Sequence, residues 1–305
     1  MNLSQLYYFS KLAEVQHYAN AAKELYITQP SLSHAIKSLE AELGVPLFER
    51  DGRRMKLTSF GREFAACIKR GLREIDKGVS LAQEYNGKLA GEVNIGAIFT
   101  VQGDYLPMLL RDYRIQYGST VKFNLFQGFS LLLVEALERD EYDIVFAAKV
   151  QGKPDLCFEH VVSHELVAFV AKANPLAKRD SVSLDDLRGR TIYTYRRGTP
   201  IGEGVNDALE EYDLPAVQEY QDEITLGGMV QADPHSVGLA TLSIGLKSFK
   251  DLAIIPLEDI PKDFHRIYMV YKRDAFRSRA VESFIEFASD YVPPTNAIPN
   301  TATSL

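Results

Sequence analysis

The sequence predicts an α/β protein in three parts: a small helical head closed by a β-hairpin, one long helix, and two α/β lobes. Three observations carry this. Apolar residues up to Leu43 recur at helical intervals, a seven-residue spacing runs through 58–86, and beyond residue 91 apolar strand-like runs alternate with helical patterns. Alternation of that kind gives a mostly parallel sheet with helices on its faces. A chain of 305 residues with 46% hydrophobic content exceeds the usual single-domain size and can fill more than one core.

In the head, Leu3 to Val15 places Leu3, Leu6, Phe9, Leu12 and Ala13 on one helical face. Tyr18 to Leu25 forms a second helix with Tyr18, Ala21, Ala22 and Leu25 inward, the two alanines admitting a close neighbour. Only Tyr26 and Ile27 then precede Thr28 to Leu43, TQPSLSHAIKSLEAEL, where Leu32, Ile36, Leu39 and Leu43 stack at intervals of four, three and four. Thr28 is the expected N-cap, and Pro30 sits in the first turn, where its missing N–H costs nothing. Pro30, Ser33, His34 and Lys37 point away from the apolar stripe, with Gln29 and Ser31 at the amino end. Two helices joined by so short a turn describe a helix-turn-helix, whose second helix enters the DNA major groove. A three-helix packing unit without DNA contact is the alternative.

Gly44 ends that helix, and PLFERDGRRMKLT reads as strands Leu47–Arg50 and Met55–Leu57 around a turn at Asp51 and Gly52. Arg50, Arg53, Arg54 and Lys56 crowd the hairpin, a basic wing suited to neutralising phosphates. At this point the chain resembles the LysR-type transcriptional regulators. The resemblance rests on AAKEL (Ala21–Leu25), TQPSLSHAIKSLEAELGVPLFER (Thr28–Arg50) and LTSFG (Leu57–Gly61), a long ordered set at the family's spacings. Two departures stand out. His17, Tyr18 and Ala19 occupy places where small hydroxyl residues are usual, which predicts a weaker N-cap and one lost phosphate contact. His34 replaces a more usual Arg and leaves the base preference there open. The expected DNA-binding set is Thr28, Gln29, Pro30, Ser31, Ser33, His34, Lys37, Arg50, Arg53 and Arg54. Gln29, Ser33 and His34 approach base edges, each good contact contributing ~1 to 3 kcal/mol of discrimination. Lys37 and the arginines take phosphates, and Pro30 takes a thymine methyl or sugar.

The net charge of −7 opposes nucleic-acid binding only if it is uniform, and it is not. Residues 1–91 hold 13 Lys+Arg and 10 Asp+Glu, net +3, whereas the remainder holds 21 and 31, net −10. A mildly basic head and an acidic body follow, an asymmetry that keeps the body off DNA. Cys67 and Cys157 fit no metal or CxxC spacing, and the sequence shows neither a signal peptide nor 18 consecutive apolar residues. A reduced, cytoplasmic setting with no membrane span is expected, and both cysteines default to packing roles. His160 and His164 lack a third ligand of matching context, so no metal and no cofactor are expected.

From Thr58 to about Asn86 the chain reads as one helix of about 43 Å at 1.5 Å per residue. Gly61, Ile68, Ile75 and Ala82 recur every seven residues, as do Ala65, Leu72 and Val79, an a/d seam that calls for a second copy. A two-fold dimer would set two recognition helices on half-sites about one helical turn, ~34 Å, apart. Packing of this helix on its own body is the alternative. Gly71 and Gly78 weaken it by roughly 1 kcal/mol each.

The expected divisions are a DNA-binding head at 1–58, a linker and dimerisation helix at 59–86, a hinge at 87–91, an effector domain at 92–291 and a disordered tail at 292–305. Within the effector domain the strands are Glu92–Ile98, Val121–Phe126, Asp143–Ala147, Glu165–Ala171, Thr191–Tyr195, Val217–Tyr220, Val237–Thr241 and Arg266–Tyr271. Helices Tyr105–Tyr117, Ser130–Arg139, Leu184–Leu187, Ile201–Tyr212, Ile224–Ala232 and Arg277–Tyr291 lie between and after them. Lobe I spans about 92–162 and 266–291, lobe II about 163–265. This topology is similar to the periplasmic-binding-protein-like effector domain of the same family, which implies a small-molecule effector, a dimer of dimers and possible contact with RNA polymerase.

Ligands of open α/β sheets sit beyond the carboxyl ends of strands, at helix N-termini. That rule selects Phe99, Thr100 and Gln102; Gly128, Phe129 and Ser130; Ala148 and Lys149; and Arg196, Thr199 and Ile201. Ser130 reads first as an ordinary N-cap, and Arg196 and Arg197 first as solvated, while Thr100 reads also as a helix opener. An inward Arg196 favours an anionic, carboxylate-bearing guest. GFSLL lacks the second glycine of a nucleophile elbow, IGEGVN completes no phosphate loop, and no enzyme is expected. The competing class is a solute-binding module that carries a helical oligomerisation head.

Overall fold

Capping fixes the first helix as firmly as apolar spacing does. In the computed structural model, which describes residues 1–51, 54–85 and 89–293, Asn2 accepts the Gln5 N–H while the Gln5 side chain accepts that of Asn2, each at 2.9 Å. The chain divides into two compact units, Met1–Lys88 and Leu89–Leu305. In the first, α1 (Leu3–Val15), α2 (Tyr18–Glu24) and α3 (Gln29–Leu43) bury Phe9, Leu12, Ala21, Ala22, Leu32, Ile36 and Leu39 in one core. The α2 cap is weak, as the hydroxyl-free start predicts: His17 Nδ1 accepts the Asn20 N–H at 3.4 Å.

Strands β1 (Phe48–Asp51) and β2 (Arg54–Leu57) pair antiparallel, Arg50 opposite Met55. Leu47 falls outside the ladder. Its N–H and that of Phe48 are taken instead by Glu40 Oε1, at 2.7 and 3.1 Å, which clamps the root of the wing to α3. Gly52 and Arg53 lie outside the described residues, as does the side chain of Arg54.

Helix α4 (Ser59–Tyr85) has 27 residues, about 40 Å of rise. The heptad expectation needs correction over its first half. A Cβ on Gly61 would stand 2.1 Å from the Leu47 carbonyl oxygen, so this position is a close approach to the head and not a seam toward a partner. Phe64, Ala65 and Ile68 pack on the head core, and Leu72 is buried. Tyr7 donates to Asp76 at 2.6 Å, a bond that holds the phenol up to about 12. Ile75 (41%) and Val79 (54%) remain exposed.

The second unit runs β3 (Gly91–Ala97), α5 (Phe99–Gln102), α6 (Tyr105–Tyr117), β4 (Val121–Gln127), α7 (Ser130–Glu138), β5 (Ile144–Ala148) and β6 (Leu156–His164). It continues with β7 (Leu166–Ala171), β8 (Ile192–Tyr195), α8 (Pro200–Glu211), β9 (Val217–Tyr220), α9 (Glu223–Ala232), β10 (Val237–Thr241), α10 (Ile244–Lys247) and β11 (Leu252–Pro256). Then β12 (His265–Lys272) and α11 (Arg279–Ser289) close it. The sequence reading places neither α5, α10 and β11 nor the nine-residue strand β6. Lobe I holds the sheet β4-β3-β5-β12-β6 and lobe II the sheet β11-β7-β10-β8-β9.

Both sheets are mixed where a mostly parallel arrangement was expected. In lobe I, β12 runs antiparallel to β5 and β6; in lobe II, β7 runs antiparallel to β10 and β11. Connectivity explains this, since β6 passes into β7 through Glu165 alone while β12 brings the chain back in the opposite direction. The hinge positions 87 and 88 and the tail positions 294–305 lie outside the described residues. Cys67 on α4 and Cys157 on β6 are free thiols.

At the crossing between lobes, His164 ends β6 directly opposite His265, which begins β12. Both are buried. Burial pushes both imidazoles below their ordinary value, His265 to about 3 with His164 adding to the effect. Asp104 pulls His164 upward and Lys247 pushes it down. His160, by contrast, is exposed and bonded to Ser163 at 2.8 Å, so the HVVSH pair does not act as one ligand set.

Two outcomes follow. Glu40→Ala leaves the N–H groups of Leu47 and Phe48 without their acceptor, and thermal unfolding is expected to show a loss of about 1–3 kcal/mol; Glu40→Gln, which keeps an acceptor, should lose less. The folded histidines are depressed, so they have no effect above about pH 6.5, and stability falls as pH drops from there toward 3, by about 1.4 kcal/mol per pH unit for each histidine that stays neutral. Denaturant titrations at pH 7, 6 and 5 should show this slope, and His265→Gln should flatten it.

Candidate functional site

Two regions gather the residues that the sequence singles out. On α3, Thr28 caps the helix, its Oγ1 accepting the Ser31 N–H at 3.3 Å and lying 2.8 Å from Ser31 Oγ. Burial of Leu32, Ile36 and Leu39 turns the opposite face outward. Gln29, Pro30, Ser31, His34 and Lys37 are exposed there, and Ser33 is half-buried at the edge of that face. Arg50 is exposed on β1, while neighbouring Lys56 faces Glu49 at 3.6 Å. The face presents hydroxyl, amide and imidazole groups, and the wing an exposed guanidinium, chemistry of the kind that suits base edges and phosphates. Glu40 is the residue missed. Nothing in its spacing distinguishes it from a solvated helix acid, because its partners are backbone N–H groups that carry no sequence signal.

Between the two sheets lies a cleft of about 810 Å³. Phe99, Thr100, Gly128, Phe129 and Ser130 line it from lobe I, and Arg196, Thr199 and Ile201 from lobe II. Three expected residues do not line it. Gln102 turns its amide to the Ala97 carbonyl at 2.8 Å, Ala148 is buried and gives its N–H to Ser130 Oγ at 3.1 Å, and Lys149 points to solvent. That last bond also corrects the N-cap reading of Ser130: α7 begins at Ser130, Phe129 is its N-cap, and no side chain caps it. Ser130 Oγ therefore ties α7 to the end of β5 and retains its own proton for donation.

The starts of α7, α8 and α9 all border this space, which sets helix N-termini against it. Thr199 is committed to the fold, accepting the Gly202 N–H and donating to the Arg196 carbonyl, each at 3.1 Å. Arg197 is held by Glu210 at 3.1 Å and Gln218 at 2.7 Å. Arg196 is exposed and, among the described residues, forms no ion pair. Thr100 is buried and, among the described residues, its hydroxyl has no partner.

A floor in lobe II was not anticipated. Tyr195 donates to Glu223 Oε1, Thr241 donates to the same oxygen at 2.8 Å, and the Thr241 N–H reaches the Tyr195 hydroxyl at 3.0 Å. Burial first, and then the Glu223 charge, push the Tyr195 phenol far up, so it stays protonated. Tyr195 and Thr241 close their strands, so the strand-end rule that selected Phe99 would have found them. Glu223, at the start of α9 after β9, stands at such a place too; its burial and its bonds to Tyr195 and Thr241 are what the sequence does not mark.

The chain matches two family profiles: "Bacterial regulatory helix-turn-helix protein, lysR family" over residues 3–62 and "LysR substrate binding domain" over residues 86–293. It is 32% identical over 234 residues to the uncharacterized HTH-type transcriptional regulator YybE of Bacillus subtilis (strain 168), covering 76% of this chain and 80% of that protein. It is 32% identical over 235 residues to the transcriptional dual regulator GltC of the same organism, covering 76% and 78%. Among solved structures, full-length CbnR complexed with its target DNA shares the fold with a TM-score of 0.72 at 21% identity, covering 94% of this chain and 99% of that one. The effector-binding domain of QuiR in complex with shikimate does so with a TM-score of 0.60 at 20% identity, covering 65% and 95%. The chain belongs to the LysR family: it is a DNA-binding transcription regulator with an effector-binding domain, and not an enzyme.

Proposed function

We propose that α3 reads an operator in the major groove, that the wing anchors on phosphates, and that a small carboxylate-bearing molecule held between the lobes sets the activity. The polar face of α3, opposite the buried Leu32, Ile36 and Leu39, carries the first part. Gln29, Ser33 and His34 take base edges, Thr28, Ser31 and Pro30 place the helix start, and Lys37, Arg50, Arg53 and Arg54 take the backbone. Support for the effector comes from Arg196, the cleft's uncommitted cation, from three helix N-termini, and from the unpartnered hydroxyl of Thr100. The working parts are the head at 1–58, the linker at 59–86, the hinge at 87–91 and the effector domain at 92–291. Exposed Ile75 and Val79 are the seam left for a second copy, and the full proposal is a dimer of dimers that meets RNA polymerase at a promoter in the cytoplasm. The helix-turn-helix match over residues 3–62 sets aside a solute-binding module without DNA binding.

Two measurements test this. In fluorescence anisotropy with the operator and with scrambled DNA, Arg50→Ala should weaken both alike and lower the salt slope by ~1, whereas His34→Ala and Ser33→Ala should reduce discrimination at single positions by ~1–3 kcal/mol. Identical behaviour of these variants would refute the assignment of roles. Thermal shifts across a panel of carboxylates and their amides should favour the carboxylates, and Arg196→Ala should remove the preference. A panel in which the amides win would refute an anionic group on the effector.

A further inference from the structure

We infer that the ligand of the cleft is a zwitterion, an amino acid with an apolar side chain, an inference that rests on the reading of the cleft as the effector site. The charged lining is balanced, with Arg196 and Arg197 against Asp222 and Glu223. Arg197 is already bound to Glu210. A ligand carrying only negative charge would thus meet two carboxylates and one uncommitted guanidinium.

Glu223 is the decisive group. It is 3% exposed, and its carboxylate receives hydrogen bonds from the hydroxyls of Tyr195 and Thr241 but, among the described residues, has no cation beside it. A buried charge without a counter-charge is costly. Its place at the start of α9 offsets part of that cost through the helix dipole. Nor does His265 supply a cation, because burial keeps it neutral. Asp222, next in line, is occupied with Thr225, accepting its N–H at 2.8 Å and its hydroxyl at 2.9 Å. An ammonium group on the ligand provides the missing partner for Glu223.

The facing wall has the opposite character. Thr100 has a buried hydroxyl without a partner among the described residues, and Ser130, having accepted the Ala148 N–H, keeps a proton to give. Neither wall residue is acidic, so this side donates to a carboxylate, as the start of α7 does. Between the two polar walls Phe99, Phe129, Leu131, Leu132, Ile201 and Ile224 make the cleft apolar, and its volume suits a small organic molecule with an aliphatic or aromatic side chain. A ligand whose two ends satisfy opposite lobes also holds those lobes together.

Calorimetry on the full chain with L-leucine and L-phenylalanine, their des-amino counterparts 4-methylpentanoate and 3-phenylpropanoate, and the corresponding amines tests the assignment. At least one amino acid should bind, with tenfold or greater loss on removing either its amino or its carboxylate group. Glu223→Gln should erase the advantage of the amino acid over its des-amino counterpart, and Thr100→Val should weaken both. Des-amino acids binding as tightly as the amino acids would overturn the zwitterion while leaving a carboxylate effector in place. Binding by none of the six would overturn the apolar amino acid, and the carboxylate and amide panel then decides separately whether the cleft takes an anion.

Discussion

One carboxylate couples the two halves of the DNA-binding head. Glu40 stands on α3 and receives the N–H groups of Leu47 and Phe48, so the wing is hung from the helix that faces outward for recognition. Phe48 packs against Phe9, ring centroids 5.6 Å apart, Leu47 is fully buried, and Thr58 gives its N–H to the Leu47 carbonyl at 3.0 Å, so the bond to Glu40 adds a tie to α3 beside these and the four-residue ladder. Two short strands are marginal on their own in water. With that tie, the angle between helix face and wing becomes a property of the fold, which is what simultaneous contact with bases and backbone demands. Gly61 completes the arrangement by letting α4 come up against the Leu47 carbonyl, so both sides of the wing's root are pinned by backbone groups.

The same economy governs α4. A helix with seven-residue spacing divides along its length: its first turns complete the head core through Phe64, Ala65 and Ile68, and later ones leave Ile75 and Val79 exposed. Periodicity alone cannot separate these uses, since an apolar stripe has the same spacing whether it faces its own chain or another. The aromatic stack of Phe60 on Phe64, ring centroids 5.9 Å apart, marks the part committed to the head.

Legibility in the sequence tracked the range of the interaction. Helices of the head were legible because their signals are local: Thr28 as cap, Pro30 in the first turn, apolar residues three and four apart. In the cleft, Thr100, Phe129, Arg196 and others were found by position at strand ends, which depends only on topology. What escaped was what depends on pairs distant in sequence. Ser130 was read as a cap, yet it bonds to Ala148, eighteen residues on. Glu223 meets Tyr195, twenty-eight residues before it, and no pattern within one segment reveals a carboxylate that ends up buried beneath a cleft. The antiparallel members of each sheet were missed for a related reason, because strand direction is set by where the chain goes next.

That routing also limits how the two lobes can move. The chain passes from lobe I to lobe II through Glu165 between β6 and β7, and returns from β11 to β12, which pairs along β6 with His265 opposite His164. Two adjacent strands cannot slide past one another without breaking their ladder, so relative motion is confined to bending at the crossing. A Cβ on Gly103 would come within 2.3 Å of Ile244 Cγ2, so the end of α5 in lobe I stands against the start of α10 in lobe II, on the side of the crossing where Asp104 and Lys247 act on His164. The lobes are therefore joined at the histidines, with this apolar contact beside the crossing. On the proposed reading, the free energy by which an effector selects a lobe arrangement is its differential contact with the two walls, the donors at Thr100 and Ser130 on one side and Glu223 and Arg196 on the other.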